Sequence, residues 1–241
     1  IMSPIREGEM SEPIILDAQE QRIVGVLIEK SLATPQYYPL TLNQVVTGCN
    51  QKSNRDPVVS WMEDEVEDVL RLLAGRGFAT QVHAAGSRVG KWRQELTKQL
   101  QLDGRSMAVV AEFLLRGPQT LGELRARASR MKEIPDLAAL DEVLQGLSQQ
   151  DPPLAARFSA EGVRRGVRWG HLLQEQQQIA LLQQAESTEA ADESAASSQT
   201  TRTSSPSGTI PAPTVARLEQ LEQAVRSLRD RVQELERRAP I

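Results

Sequence analysis

Cysteine, histidine and aromatic residues are all scarce in this sequence of 241 residues. There is one cysteine, Cys49, and there are two histidines, His83 and His171. A lone thiol forms no internal disulfide, and three soft ligands scattered along the chain do not make a structural zinc site. Hydrophobic residues are 39% of the chain and aromatics 3%, which argues against one large aromatic-rich core. No apolar run approaches the ~18 residues of a membrane span, and the acidic N-terminus lacks a secretory pattern. A cytoplasmic protein without a membrane partner is expected. Surplus positive charge is also missing: 28 basic residues face 32 acidic ones, a net of -4, so no global field draws in nucleic acid.

The signatures of catalysis are absent too. The chain has no phosphate-binding glycine loop, no dinucleotide fingerprint and no metal-ligand spacing. His83 and His171 have no Ser, Cys or carboxylate at suggestive spacing. Lys52 stands near Cys49 and could activate it, but a cysteine at the end of a short amphipathic helix is ordinarily buried. The reading is a non-enzyme, with no cofactor and no metal.

What is present divides by composition. Residues 1–13 read as a flexible N-terminus, 14–100 and 101–173 as two folded domains, 174–213 as a disordered linker and 214–238 as a helix. The linker is rich in Gln, Ala, Ser and Thr and cannot bury enough apolar surface to offset ordering entropy, though Ile179, Leu181 and Leu182 could extend a helix into it. In the tail, Leu218, Leu221, Val225, Leu228, Val232 and Leu235 follow a 3-4 spacing, a heptad seam with Leu at every d position. With Arg217 and Arg231 at g and Glu222 and Glu236 at e, this pattern predicts a short parallel coiled coil and a homodimer.

The two folded regions repeat one plan. In the first, Asp17 with Glu20 opens a helix whose face is Ile23, Val24, Leu27 and Ile28. Thr41 with Gln44 caps a short helix through Val46. Ser60 with Glu63 reads as the cap of a third helix, with Val66, Val69, Leu70 and Leu73 inward and Gly75 and Gly77 at its end. Phe78–His83 and Arg88–Arg93 then read as a hairpin. In the second, Met107, Val110, Ala111 and Leu114 face one way until Gly117-Pro118. Thr120 with Glu123 caps the next helix, with Leu121 and Leu124 inward. Leu137, Leu140, Val143, Leu144 and Leu147 mark the third, and Leu154–Ala160 and Val167–Leu173 the hairpin. Thr41 and Trp92 stand 51 positions apart, Thr120 and Trp169 49. The expected fold is mainly α with small β-hairpin wings: two tandem winged-helix (helix-turn-helix) units and a C-terminal coiled-coil helix.

Four segments also carry a family resemblance. Thr34-Pro35-Gln36-Tyr37-Tyr38-Pro39-Leu40, the run Cys49-Asn50-Gln51-Lys52-Ser53-Asn54-Arg55-Asp56-Pro57-Val58, Gly86-Ser87-Arg88-Val89, and Leu115-Arg116-Gly117-Pro118-Gln119-Thr120 with Gly122-Glu123-Leu124-Arg125 closely resemble the bacterial YceH family, whose members are largely uncharacterised. The resemblance spans roughly residues 14–173 and implies a tandem winged-helix fold. It brings no catalytic or ligand residues with it.

A winged helix usually reads DNA with its third helix, while the wing touches phosphate. Here that helix opens with Glu63, Asp64, Glu65, Glu67 and Asp68, and its counterpart holds Asp141 and Glu142 and no basic residue. These are poor groove readers. The cations lie elsewhere: Gln51, Lys52, Asn54 and Arg55 in the 50–55 loop, Arg88, Lys91 and Arg93 in the first wing, Arg125, Arg127 and Arg130 with Lys132 after the short second-unit helix, and Arg164, Arg165 and Arg168 in the second wing. The leading expectation is therefore DNA binding of regulatory or nucleoid-associated type, through the wings and the loop. The alternative is a protein-interaction adaptor using the acidic third helices. A self-bonded, purely structural loop at 50–57 competes with either use of that segment.

Overall fold

The computed structural model describes residues 13–83, 89–160, 163 and 166–185. The heptad residues Leu218, Leu221, Val225, Leu228, Val232 and Leu235, and the wing residues Arg88, Arg164 and Arg165, lie outside them. The described residues belong to one compact unit that runs to Ala196.

Its first half is α1 (Ala18–Ala33), a 3-10 turn (Pro35–Tyr37), β1 (Leu40–Thr41), α2 (Leu42–Cys49), α3 (Glu63–Gly75), β2 (Ala79–Val82) and β3 (Lys91–Gln94). A single-turn α4 (Leu96–Gln99) leads into the second half: α5 (Gly104–Arg116), β4 (Gln119–Thr120), α6 (Leu121–Ala128), α7 (Leu137–Ser148), β5 (Ala155–Arg157) and β6 (Arg168–His171). Helix continues at 176–185 and buries Ile179. The molecule is thus mainly helical with small antiparallel sheets. No helix among the described residues is long and apolar enough to cross a membrane.

Local chemistry explains most of the boundaries. Asp17 accepts from the Gln19 and Glu20 amides while the Glu20 carboxylate receives the Asp17 N–H, a reciprocal capping box. Thr41 with Gln44 and Thr120 with Glu123 close the same box on α2 and α6. Gly117 ends α5 at a φ of 73°, where a side chain would be strained. The start of α3 differs from expectation. Its cap is Met62, whose N–H donates to Glu65, two residues past Ser60. Asn50 is the cause: its side-chain amide donates to the Trp61 carbonyl and accepts from the Trp61 N–H, each at 2.9 Å. That clamp holds Trp61 outside the helix, so the helix begins only after it.

Each sheet has three strands rather than the two expected, in the orders β1-β3-β2 and β4-β6-β5. The extra strands are two residues long, too short to show alternation in sequence. They pair Leu40 with Trp92 and Gln119 with Trp169, so both tryptophans occupy the same place on the central strand.

The halves share one core. In α1 every residue from Arg22 to Ile28 is buried, and in α5 every residue from Ala108 to Leu115. A helix covered on all sides has partners on two faces: each helix packs on its own half and on the other. Leu16 N–H donates to Leu173 O at 3.1 Å and Asp56 N–H to Leu115 O at 2.9 Å, tying the halves through backbone as well. At the crossing, a Cβ on Gly25 would lie 2.9 Å from Leu115 Cγ and 3.1 Å from Leu114 Cβ. Only glycine allows that approach.

Gly25→Val should therefore lower the unfolding free energy by about 1–3 kcal/mol through overpacking. Gly146, in α7, faces open space, with nothing within 4 Å of the point where a Cβ would stand. Gly146→Ala should be neutral or stabilising by up to about 1 kcal/mol through helix propensity. Urea denaturation of both variants checks the contrast; equal effects would mean the α1–α5 approach is not constrained.

Candidate nucleic-acid interface

The 50–55 loop runs from the end of α2 across the seam between α1 and α5, and Arg55 is its centre. Arg55 Nε donates to Gly48 O at 2.9 Å. Nη1 donates to Glu29 Oε1 at 3.2 Å and Asn54 O at 2.8 Å, and Nη2 to Glu29 Oε2 and Gln51 Oε1, both at 2.7 Å. A guanidinium has five N–H donors, and all five are used. The side chain is fully buried, so Arg55 has nothing left for a phosphate. Arg55, expected among the DNA contacts, is thus engaged within the protein, and the Gln51 side-chain oxygen with it.

Burial alone would push the Glu29 carboxyl up. The hydrogen bonds and charge of Arg55, then those of Lys30, outweigh burial and hold it below the usual carboxylate range. Asn54 is exposed and left-handed at a φ of 60°; its side-chain oxygen accepts from Arg116 Nη2. Lys52 is exposed, with no hydrogen bond or ion pair among the described residues. Cys49 is buried, and burial pushes its thiol up to about 12. It is thiol, not thiolate, despite Lys52 nearby. Tyr38 packs beside β3: its hydroxyl accepts from the Gln94 N–H at 2.7 Å, and burial raises it to about 12.

In the second half, Arg125 donates through Nε to Ile134 O at 3.2 Å and through Nη2 to Pro135 O. It staples the loop between α6 and α7. Arg127 donates to Gln119 Oε1 at 2.7 Å and Glu123 Oε1 at 3.2 Å. Arg130 and Lys132 are exposed. In the wings, Arg93 pairs with Glu95 at 2.7 Å, Lys91 is half-buried in β3, and Arg168 is half-buried in β6 and also has an interaction partner. The structure nevertheless gathers residues from both halves. Arg116, at the end of α5, bonds Asn54 and lies close enough to Arg127, Arg130 and Arg55 to feel their charge. Sequence inspection missed Arg116 as a link because no spacing rule relates it to residue 54.

The third helices carry the opposite sign. Glu63, Asp64, Glu65 and Asp68 are exposed on α3. Its one exposed cation, Arg71, is taken by Glu67 at 2.7 Å and Asp68 at 3.5 Å. Arg76, just past the helix, pairs with Glu20 at 2.5 Å and lies over the Phe78 ring. Two large apolar side chains flank these acids, Met62 at 69% exposure and Leu72 at 62%. On α7, Leu137 and Glu142 are exposed and Asp141 accepts from Gln145. Among the described residues no group of three or more His, Cys, Asp or Glu is placed to hold a metal.

Residues 16–164 match the family model described as "Protein of unknown function, DUF480". A UPF0502 protein of Geotalea uraniireducens (strain Rf4) is 48% identical over 176 residues, 73% of this chain and 80% of that protein. A UPF0502 protein of Geobacter sulfurreducens is 49% identical over 160 residues, 66% of this chain and 73% of its own length. One from Klebsiella pneumoniae (strain 342) is 45% identical over 162 residues, covering 65% and 75%. The matched span takes in both halves, which agrees with the YceH resemblance.

Arg55→Ala should lower stability at neutral pH by about 2–4 kcal/mol, because it leaves the largely covered Glu29 with Lys30 as its one remaining cation. Lys52→Ala should stay within about 0.5 kcal/mol. A carboxyl lowered on folding contributes stability above its unfolded pKa, and that contribution drains away as pH falls through the folded value. The Arg55→Ala penalty should therefore shrink in acid. Urea titrations near neutral pH and in the carboxylate range measure both; an Arg55→Ala protein as stable as wild type would return Arg55 to the available cations.

Proposed function

The chain belongs to the DUF480 family of bacterial proteins, and we propose that it works as a non-enzymatic, cytoplasmic protein-interaction adaptor whose α3 surface receives a basic partner. The order helix, strand, helix, helix, strand, strand, with the first short strand seated beside the last, supports reading each half as a winged helix. In that arrangement α3 is the element that meets a ligand. The observation that carries the adaptor reading is its exposed face: four carboxylates without free cations, flanked by Met62 and Leu72. Such a face repels a phosphate backbone at close range and suits a positively charged partner with apolar contacts at its two ends.

DNA binding is the second reading, and one observation favours it. Arg116 links the exposed loop residue Asn54 to the neighbourhood of Arg130. With the wing residues Arg88, Arg164 and Arg165, these would be the phosphate contacts. Arg55, Arg125 and Arg127 are engaged internally and add little.

One experiment separates the two. A photo-reactive amino acid at Asp68, and separately at Arg130, is cross-linked in cells, and the adducts are treated with nuclease or protease. The adaptor reading expects a discrete protein adduct at Asp68, lost when Glu63, Asp64 and Glu65 become lysine, and no nucleic-acid adduct at Arg130. It also expects no anisotropy change with mixed-sequence duplex DNA at low salt. Salt-sensitive duplex binding, with a log–log slope near about -3.6 if four phosphates are engaged, would replace it with the DNA reading.

The heptad tail is read as a homodimerisation element. Because 176–185 is helical and buries Ile179, the informative truncation is after residue 185 and not at the last strand. The full chain should sediment as a dimer and the truncated chain as a folded monomer. A dimeric truncated chain would place self-association elsewhere.

A further inference from the structure

A cleft of about 610 Å³ opens where the two halves meet. It lies between the start of α1, the 56–57 segment, the end of α5, β6 and the 176–185 helix. That volume falls within the range of small-molecule sites. Leu16, Phe113, Leu114 and Phe158, all buried, supply apolar wall.

Three polar side chains on the cleft are more than nine-tenths buried: Arg22 at 3% exposure, His171 at 4% and Gln174 at 8%. Two of them hold a donor without an acceptor. Arg22 gives Nη1 to Cys49 O at 3.1 Å and Nη2 to Pro57 O at 2.6 Å, and its buried Nε has no partner. No ion pair among the described residues includes Arg22. Gln174 is oriented by Gln21, whose Nε2 donates to Leu16 O at 2.8 Å and approaches Gln174 Oε1 at 3.5 Å. That leaves Gln174 Nε2 buried and unpartnered.

An unmet buried donor is destabilising, more so on a charged group. Two such donors on residues that line one cleft, beside apolar wall, would be satisfied by an acceptor brought from outside. The carboxylates on the cleft do not fill that role. Asp17 caps α1, and Asp56 and Glu175 are solvent-exposed. His171 Nδ1 accepts from the Leu173 N–H at 3.2 Å, so the neutral ring carries its proton on Nε2. Burial pushes His171 down to about 4, which keeps it neutral.

We propose that this cleft binds a small organic acid, a carboxylate on an apolar body. The carboxylate accepts from Arg22 Nε and Gln174 Nε2, and the body lies against Leu16, Phe113, Leu114 and Phe158. The site draws on both halves of the molecule, and it does not depend on which macromolecule the α3 surface or the loop meets.

Titration calorimetry of the full chain tests it with three probes: phenylacetate, its neutral amide phenylacetamide, and inorganic phosphate. Phenylacetate should bind with a dissociation constant of roughly a millimolar or below. The amide lacks the charge and phosphate lacks the body, so each should bind at least about tenfold more weakly. Gln174→Leu, with an unchanged circular dichroism spectrum, should weaken phenylacetate by about five- to tenfold. Arg22→Gln should weaken it further; if that variant does not fold, Gln174→Leu decides. The proposal falls if phenylacetate gives no heat up to about 10 mM, or if either control binds equally well. It also falls if Gln174→Leu leaves the affinity unchanged, which would mean that water alone satisfies these donors.

Discussion

At Gly25 the backbone of α1 comes so near α5 that an added Cβ would stand 2.9 Å from Leu115, and much of the architecture follows from that approach. Two units that each resemble a small helical domain with a wing become one body, because their first helices bury each other's second face. Neither helix has a solvent side over its central turns. The interior is therefore continuous from Leu16 to Leu173, and separate stability for either half is not what the packing describes.

The same seam decides the fate of the charged residues. Bringing α1 against α5 places Glu29 and Glu112 in mutual electrostatic reach inside the protein. Burial raises Glu112, Arg116 beside it at 3.2 Å opposes that, and Glu29 raises it further. Two carboxylates in such a place need cations, and Arg55 and Arg116 supply them. Arginines that look like a nucleic-acid surface in one dimension are in part the counter-charges of this interface. What remains outside is unequal: an acidic, partly apolar α3 and a few exposed cations on the loop and after α6. That inequality, more than net charge, is what the proposal of a protein partner rests on.

Much of this was legible. The boxes at Asp17–Glu20, Thr41–Gln44 and Thr120–Glu123 depend only on neighbouring residues, so sequence spacing sufficed to find them. The inward leucines and valines of α3 follow helical periodicity and are buried as expected. The equivalence of Trp92 and Trp169 was visible as near-equal spacing from the caps, though not that each pairs with a residue on a third strand. The start of α3 was misplaced because Asn50 acts on Trp61 across eleven positions, and no local rule sees that clamp. The unbroken runs Ile23–Ile28 and Ala108–Leu115, with Glu112 the one polar interruption, carried a signal of two-faced burial that a single-face reading passes over.

The sequence by itself determined most of the helices, the three capping boxes, the repeated plan and the family, because each is written in short-range chemistry or in long matching segments. Only the tertiary structure decided which arginines are spent and which are free, since a guanidinium's availability depends on carboxylates and carbonyls distant in the chain. It alone also brought Arg22 and Gln174 to the same cleft. Those donors lie 152 positions apart, and their shared need for an acceptor exists only once α1 and the residues after β6 fold onto one another.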